Sequence, residues 1–430
     1  MGRPNVCWAV FYSHYKLFMP LIKPFKGLRP SPENASEVIA PPYDVISFQE
    51  ACDLAKNKPN SFLHISRPEI DLPSGTNPYS SEVYARGVTT LKGMIESGVL
   101  FRDDQECFYV YELTHQAISQ KGLVLSASIA AYDQNIIRKH EFTRPEKEDD
   151  RVRQIDTLSA QTGPVLLAYP TQAEVDSILA SSSTSEPDLD VIAEDGVRHK
   201  VWVVSDASTV KTLQRLFDQF PALYIADGHH RSAAASRVHK LRSIDESKEV
   251  VATSEGYFLA VAFPQQQMKI LPYNRVVTDL NGLTEEAFLR KIADKFQVIR
   301  SDEPLAPDRK GVIGLYLGGS WYRLVADKLP TSANPVDCLD VSMLSNLILG
   351  PILGIHDLRK DKRIDFVGGV RGVSELSKRV DAGEMACAFS LFPTGIQELM
   401  SIADSGEVMP PKSTWFEPKL ADGLVSLVLD

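Results

Sequence analysis

Cysteine is scarce and scattered: the 430 residues contain five, Cys7, Cys52, Cys107, Cys338 and Cys387. The number is odd and no two form a Cys-x-x-Cys pair. That excludes a disulfide framework and a cysteine-ligated zinc site, and it fits a reducing cytoplasm. No apolar run reaches the length of a transmembrane helix, so no membrane association is expected. Positive charge is not in excess either, with a formal net charge of −10. A nucleic-acid-binding face needs a basic surface, so nucleic acid is not expected as a partner, although a small basic pocket remains allowed. The common nucleotide signatures are missing as well. There is no G-x-x-x-x-G-K-[ST], no G-x-G-x-x-G, no His-Arg-Asp or Asp-Phe-Gly set and no H-E-x-x-H. This excludes P-loop, Rossmann, protein-kinase and zincin chemistry in their usual forms.

What is present alternates between short apolar runs and helical segments. Met1–Phe18 lacks the clean apolar core and small-residue cleavage site of a signal peptide, and residues 1–19 read as an extension. Residues 20–47 are Pro-rich, ending in Ala40-Pro41-Pro42-Tyr43-Asp44. Helices are expected over 48–55, 81–97, 145–160, 209–219, 232–241, 285–296, 341–349 and 395–403. A hairpin is expected from 107–112 and 123–132, turning at Gln120-Lys121-Gly122. Further strands are expected over 164–169, 200–204, 222–226, 257–263, 311–317 and 385–392. No regular strand–helix–strand series results, so the fold class is α+β. The boundaries follow as 20–105 for an N-terminal region, 106–262 for a core and 263–430 for a C-terminal α+β domain.

Three segments carry chemistry. In Tyr224-Ile225-Ala226-Asp227-Gly228-His229-His230-Arg231, an apolar strand stops at a glycine and a small-residue helix begins just after it. Glycine permits the tight turn, and N–H groups at a helix start attract phosphate. Arg231 opposes the helix dipole there, which makes sense if it meets an anion. Asp227 could hold Mg²⁺ or orient a substrate hydroxyl. The plainer reading is a polar turn with a capping Asp and two surface histidines. The second segment is His140-Glu141, ahead of a charged helix. Glu141 there is either a solvated charge or a general base for a hydroxyl nucleophile. The third is Pro411-Lys412-Ser413-Thr414-Trp415, in which a lysine and two hydroxyls suit a phosphate or a carboxylate, or simply form a Pro-rich turn with an aromatic plug.

The order of these pieces resembles known families. The Asp-Gly-His-His-Arg turn with its Ala-rich helix is similar to the ParB/sulfiredoxin-like fold. From Ile22-Lys23-Pro24-Phe25 to Lys419, the chain resembles a widespread family known as a conserved domain of unknown function. The marks are Ala40-Pro41-Pro42-Tyr43-Asp44-Val45-Ile46, His140-Glu141 with Asp150-Arg151, the Asp227–Arg231 turn and Pro411–Lys419. More distantly it resembles the free L-serine kinases of the ParB/sulfiredoxin fold, with Trp415 and Phe416 where those enzymes carry Arg and His. That resemblance implies a ParB/sulfiredoxin-like core and phosphoryl transfer from ATP or ADP with Mg²⁺ to a small hydroxyl metabolite, free serine. It implies Glu141, Asp227 and His230 as catalytic residues, with Asp227 on the metal. Gly228, His229, His230 and Arg231 would bind phosphates, and His140, Lys412, Ser413 and Thr414 the substrate. The alternative is a nucleotide-binding regulatory or DNA-associated protein of the ParB type without kinase activity. A sulfiredoxin-like reductase ranks last, because no cysteine lies in the Asp227 turn.

Overall fold

Alternating apolar residues build the largest sheet. The computed structural model describes residues 20–243 and 254–430, so the expected extension 1–19 lies outside the described residues. The chain divides into two units. One comprises 20–138, 143–268 and 418–430 of the described residues, and the other comprises 139–142 and 269–417. Helices and strands are mixed in both.

In the first unit a nine-stranded sheet has the central order Ile137–Arg138, Leu223–Asp227, Val165–Tyr169, Tyr257–Pro264, Ile118–Ser128, Phe108–His115, Arg198–Val204, Leu189–Ile192. Ile22–Lys23 pairs with Ile118–Ser128 beside this path. Most pairings are antiparallel, and Val165–Tyr169 runs parallel to Tyr257–Pro264. Side chains two apart share a sheet face. Accordingly Leu123 and Leu125, Phe258 and Ala260, Val165 and Leu167, and Leu223 and Ile225 all enter one core with Leu213, Leu216 and Phe217 of the Ala207–Phe217 helix. A smaller sheet orders Leu100–Arg102, Gly27–Pro30, Ser426–Val428 and Ala160–Gln161. The last residues of the chain therefore sit between its first strands and its middle.

The hairpin forms, but its turn does not fall at Gln120-Lys121-Gly122. The strands extend to His115 and start again at Ile118, with Gln116 in left-handed backbone at φ 53°. Lys121 is a strand residue paired with Glu112 at 3.2 Å. Gly122 serves close approach, since a Cβ there would stand 2.6 Å from the Ala262 carbonyl oxygen. Ile129–Asp133 is helical rather than a strand continuation, because the Ser128 side chain accepts from the Ala131 N–H and caps a helix.

In the second unit a six-stranded sheet orders Phe296–Ser301, Ser320–Ala326, Val312–Leu317, Cys387–Leu391, Tyr273–Val277 and Ile364–Gly368. The expected helix over 285–296 stops at Ile292, and Phe296 opens a strand. Trp415–Glu417 pairs with Lys269–Leu271 in a separate ribbon. Among the described residues, no helix is long and apolar enough to cross a membrane.

Candidate active site

In the first unit, the Leu223–Asp227 strand is buried until its last residue. Its register against Val165–Tyr169 shifts between Ile225 and Asp227. Such a bulge re-aims the next side chain. Gly228 follows at φ 93° and ψ 27°, and the helix His229–Arg242 starts at once. A side chain at Gly228 would meet both the left-handed backbone and the Val165 Cα at 3.3 Å. The predicted strand–glycine–helix turn is therefore present. In any α-helix the first N–H groups have no carbonyl a turn earlier, and the dipole leaves them positive.

Asp227 accepts from the Gly228 N–H at 2.8 Å and from Lys419 Nζ at 2.9 Å. Burial alone would raise its pKa. The Lys419 ammonium outweighs that, with help from Arg231 and His229, and holds the carboxyl well below the usual carboxylate range. His230 Nε2 accepts from the Arg144 N–H at 2.9 Å, which fixes the start of the Pro145–Leu158 helix against the turn. Arg237, two turns further along, adds contacts to Glu148 at 2.9 Å and Asp149 at 2.7 Å.

Arg231 meets anions of this chain. Its Nη1 donates to the Pro164 carbonyl at 2.8 Å and its Nη2 to Asp44 at 3.3 Å. Burial works against its charge, but Asp44 and Asp422 outweigh burial and raise its pKa. Tyr43 lies beneath two guanidiniums, with Arg151 Cζ 3.7 Å and Arg231 Cζ 5.5 Å from its ring centroid. Asp422 is 2% exposed. Its backbone bridges to Ala40, which places the Ala40–Asp44 segment beside it.

The second unit holds His140, Glu141, Lys412, Ser413 and Thr414. His140 is buried and Glu141 half-buried. The His140 carbonyl accepts from the Met409 N–H at 2.9 Å, tying the His140-Glu141 segment to the start of the Pro-rich turn. Lys412 has left-handed backbone at φ 60°, and its Nζ lies 5.4 Å from the Tyr273 ring centroid. Ser413 is buried and donates to the Pro410 carbonyl at 2.7 Å, and its own carbonyl accepts from Thr394 Oγ1 at 3.1 Å. Its hydroxyl thus shapes the turn. Arg275, 1% exposed, donates to the Tyr273 carbonyl and to the Pro411 carbonyl from beneath, and burial pushes its pKa down to about 9.

The sequence offers Tyr43 as either a structural or a pocket-lining residue, and it gives no role to Lys419, Arg151, Asp422 or Arg275. Tyr43, Lys419 and Arg151 lie in motifs that drew attention on other grounds. Asp422 and Arg275 sit in ordinary strand-and-turn sequence with no local signal.

No curated protein matches the sequence. Among solved structures, a conserved hypothetical protein from Pyrococcus furiosus is 12% identical over 70% of this chain and 93% of its own, at a TM-score of 0.34. A free serine kinase in complex with AMP is 12% identical over 69% of this chain and 86% of its own, at 0.33. A C-terminally truncated SbnI from Staphylococcus aureus is 10% identical over 70% and 85%, at 0.37. Similarity at this level carries no argument about activity. Residues 22–342, most of the chain, match the family described as protein of unknown function (DUF1015), and the chain belongs to that family.

Proposed function

We propose that this protein is a nucleotide-dependent small-molecule kinase with a ParB/sulfiredoxin-like core, and that it phosphorylates free L-serine to O-phospho-L-serine. The observation that carries the reading is the Asp227–Arg231 turn. A bulged strand end, a left-handed glycine and an immediate helix start form a backbone suited to phosphate. The order of His140-Glu141, this turn and Pro411–Thr414 along the chain supports it.

In this reading Gly228, His229, His230 and Arg231 hold the phosphates of ATP or ADP. Arg231 does so by its charge while it anchors the turn on Asp44 and Pro164. Lys419 adds a second cation beside Asp227. Asp227 is ionised and half-exposed, the kind of hard oxygen donor Mg²⁺ takes. Mg²⁺ held there would neutralise charge on the transferred phosphoryl group. Glu141 accepts the proton of the serine hydroxyl as its oxygen bonds to phosphorus and the nucleotide's oxygen–phosphorus bond breaks. His140, Lys412, Ser413 and Thr414 bind the acceptor or the phosphate it receives.

The test is phosphorus NMR of the purified protein with L-serine, Mg²⁺ and either ATP or ADP. Growth of an O-phosphoserine resonance that depends on protein, serine and nucleotide is the expected result. Nucleotide binding without that resonance for serine would remove the serine kinase reading.

A further inference from the structure

Tyr43 is fixed from several sides within the first unit. It follows Pro41 and Pro42, which lock their own backbone and stiffen the segment that reaches it. Ala40 and Asp422 exchange both backbone hydrogen bonds, at 3.1 and 2.9 Å. Arg67 Nη1 donates to the Tyr43 carbonyl at 3.0 Å and to the Ile46 carbonyl at 2.9 Å. The buried ring is held as well, by the Arg151 guanidinium 3.7 Å from its centroid. Arg151 in turn is locked by Asp150, whose Oδ2 accepts from Nε at 3.0 Å and from Nη2 at 2.6 Å. The Tyr84 hydroxyl donates to the other oxygen of Asp150 at 2.8 Å.

The ring fixed in this way also meets Arg231, whose Cζ lies 5.5 Å from its centroid, within cation–π reach. The bonds of Arg231 to the Pro164 carbonyl and to Asp44 fix two corners of the same guanidinium. Gly163 bounds a third, since a Cβ there would stand 3.2 Å from Arg231 Nε. A long side chain loses rotamer freedom when it engages a ligand, and one already confined loses less. Strand, glycine and helix start do not supply this confinement; the Ala40–Asp44 segment does. We propose that Tyr43 is a positioning residue for Arg231: its ring, clamped by Arg151 and Asp150, is a platform that keeps the Arg231 guanidinium oriented for the phosphates of the nucleotide. This role rests on the reading of Asp227–Arg231 as the phosphate turn. Tyr43 acts through Arg231, whose charge stays when the ring is lost, so binding weakens without vanishing.

The experiment is calorimetric titration of the full chain with ATP and with ADP, for wild type, Tyr43→Leu and Tyr43→Phe, beside urea unfolding of each. Tyr43→Leu should bind nucleotide about 3- to 30-fold more weakly, the range that a cation–π contact supplies. Tyr43→Phe keeps the ring face and should bind as wild type does. A ring that only filled space would change stability and leave the affinity of the folded protein alone. In turnover, Tyr43→Leu raises the KM for nucleotide by the same factor and leaves the KM for serine unchanged. Wild-type nucleotide affinity in Tyr43→Leu, or Tyr43→Phe as weak as Tyr43→Leu, overturns the platform and leaves the phosphate turn in place. A wild type that binds neither nucleotide removes the phosphate turn, and this role with it. If Tyr43→Leu does not fold, Arg151→Lys decides, because it keeps the charge beside Asp150 and loses the planar face against the ring. Several-fold weaker nucleotide binding is then expected, and unchanged affinity overturns the proposal.

Discussion

Lys419 Nζ and the Asp227 carboxylate form an ion pair at 2.9 Å, joining the last segment of the chain to the Asp227–Arg231 turn. Asp227 has a folded pKa below its unfolded value of about 3.9. Its contribution to stability is therefore complete above about pH 4 and is lost as pH falls through the folded pKa. Lys419→Met should cost about 1 kcal/mol at neutral pH, a modest figure because Asp227 is half-exposed and screened. The difference from wild type should shrink below about pH 4. Urea unfolding at several pH values checks this, and a difference that persists undiminished in strong acid would contradict it.

Gly228 sits at φ 93° with Val165 behind it. Gly228→Ala should destabilise the fold by about 1–2 kcal/mol, the cost of left-handed backbone for a residue with a Cβ, and should weaken nucleotide binding as the turn deforms. A variant as stable as wild type in urea would show that the turn does not need its glycine.

This turn was legible in the sequence because its signals are local. A strand, a glycine and a run of alanines announce it within a dozen residues, and the structure has each. The surroundings were not legible in that way. Tyr43, Arg151, Gly163, Arg231 and Asp422 line one cleft, and they come from two helices, loops and an isolated bridge that meet through tertiary packing no single-segment pattern records. Gln120-Lys121-Gly122 looked like a turn because its residue types suit one. Tertiary contact with Ala262 and Phe263 instead requires the glycine inside a strand. Arg231 was expected to meet an anion, and the anions of this chain that engage it, Asp44 and Asp422, lie far from it in sequence.

Arg275 donates from a fully buried position to the Pro411 carbonyl at 3.3 Å. Its pKa is pushed down by burial, and no carboxylate contributes to that pKa. Replacing a buried charge by an apolar residue of similar length is often tolerated, whereas the carbonyl it held loses its donor. Arg275→Met should therefore fold while amide exchange speeds up across 411–415. Unchanged protection of that turn would show that Arg275 does not hold it.

In the proposed kinase, Glu141 is the base of a phosphoryl transfer whose nucleotide is held elsewhere, at the Asp227–Arg231 turn. Glu141→Gln keeps the shape of the side chain and removes its ability to take a proton. The decisive measurement is the rate of O-phosphoserine formation by Glu141→Gln beside its nucleotide affinity. The expected rate is about 10²–10⁴-fold below wild type, with nucleotide affinity retained. Full turnover by Glu141→Gln would contradict it.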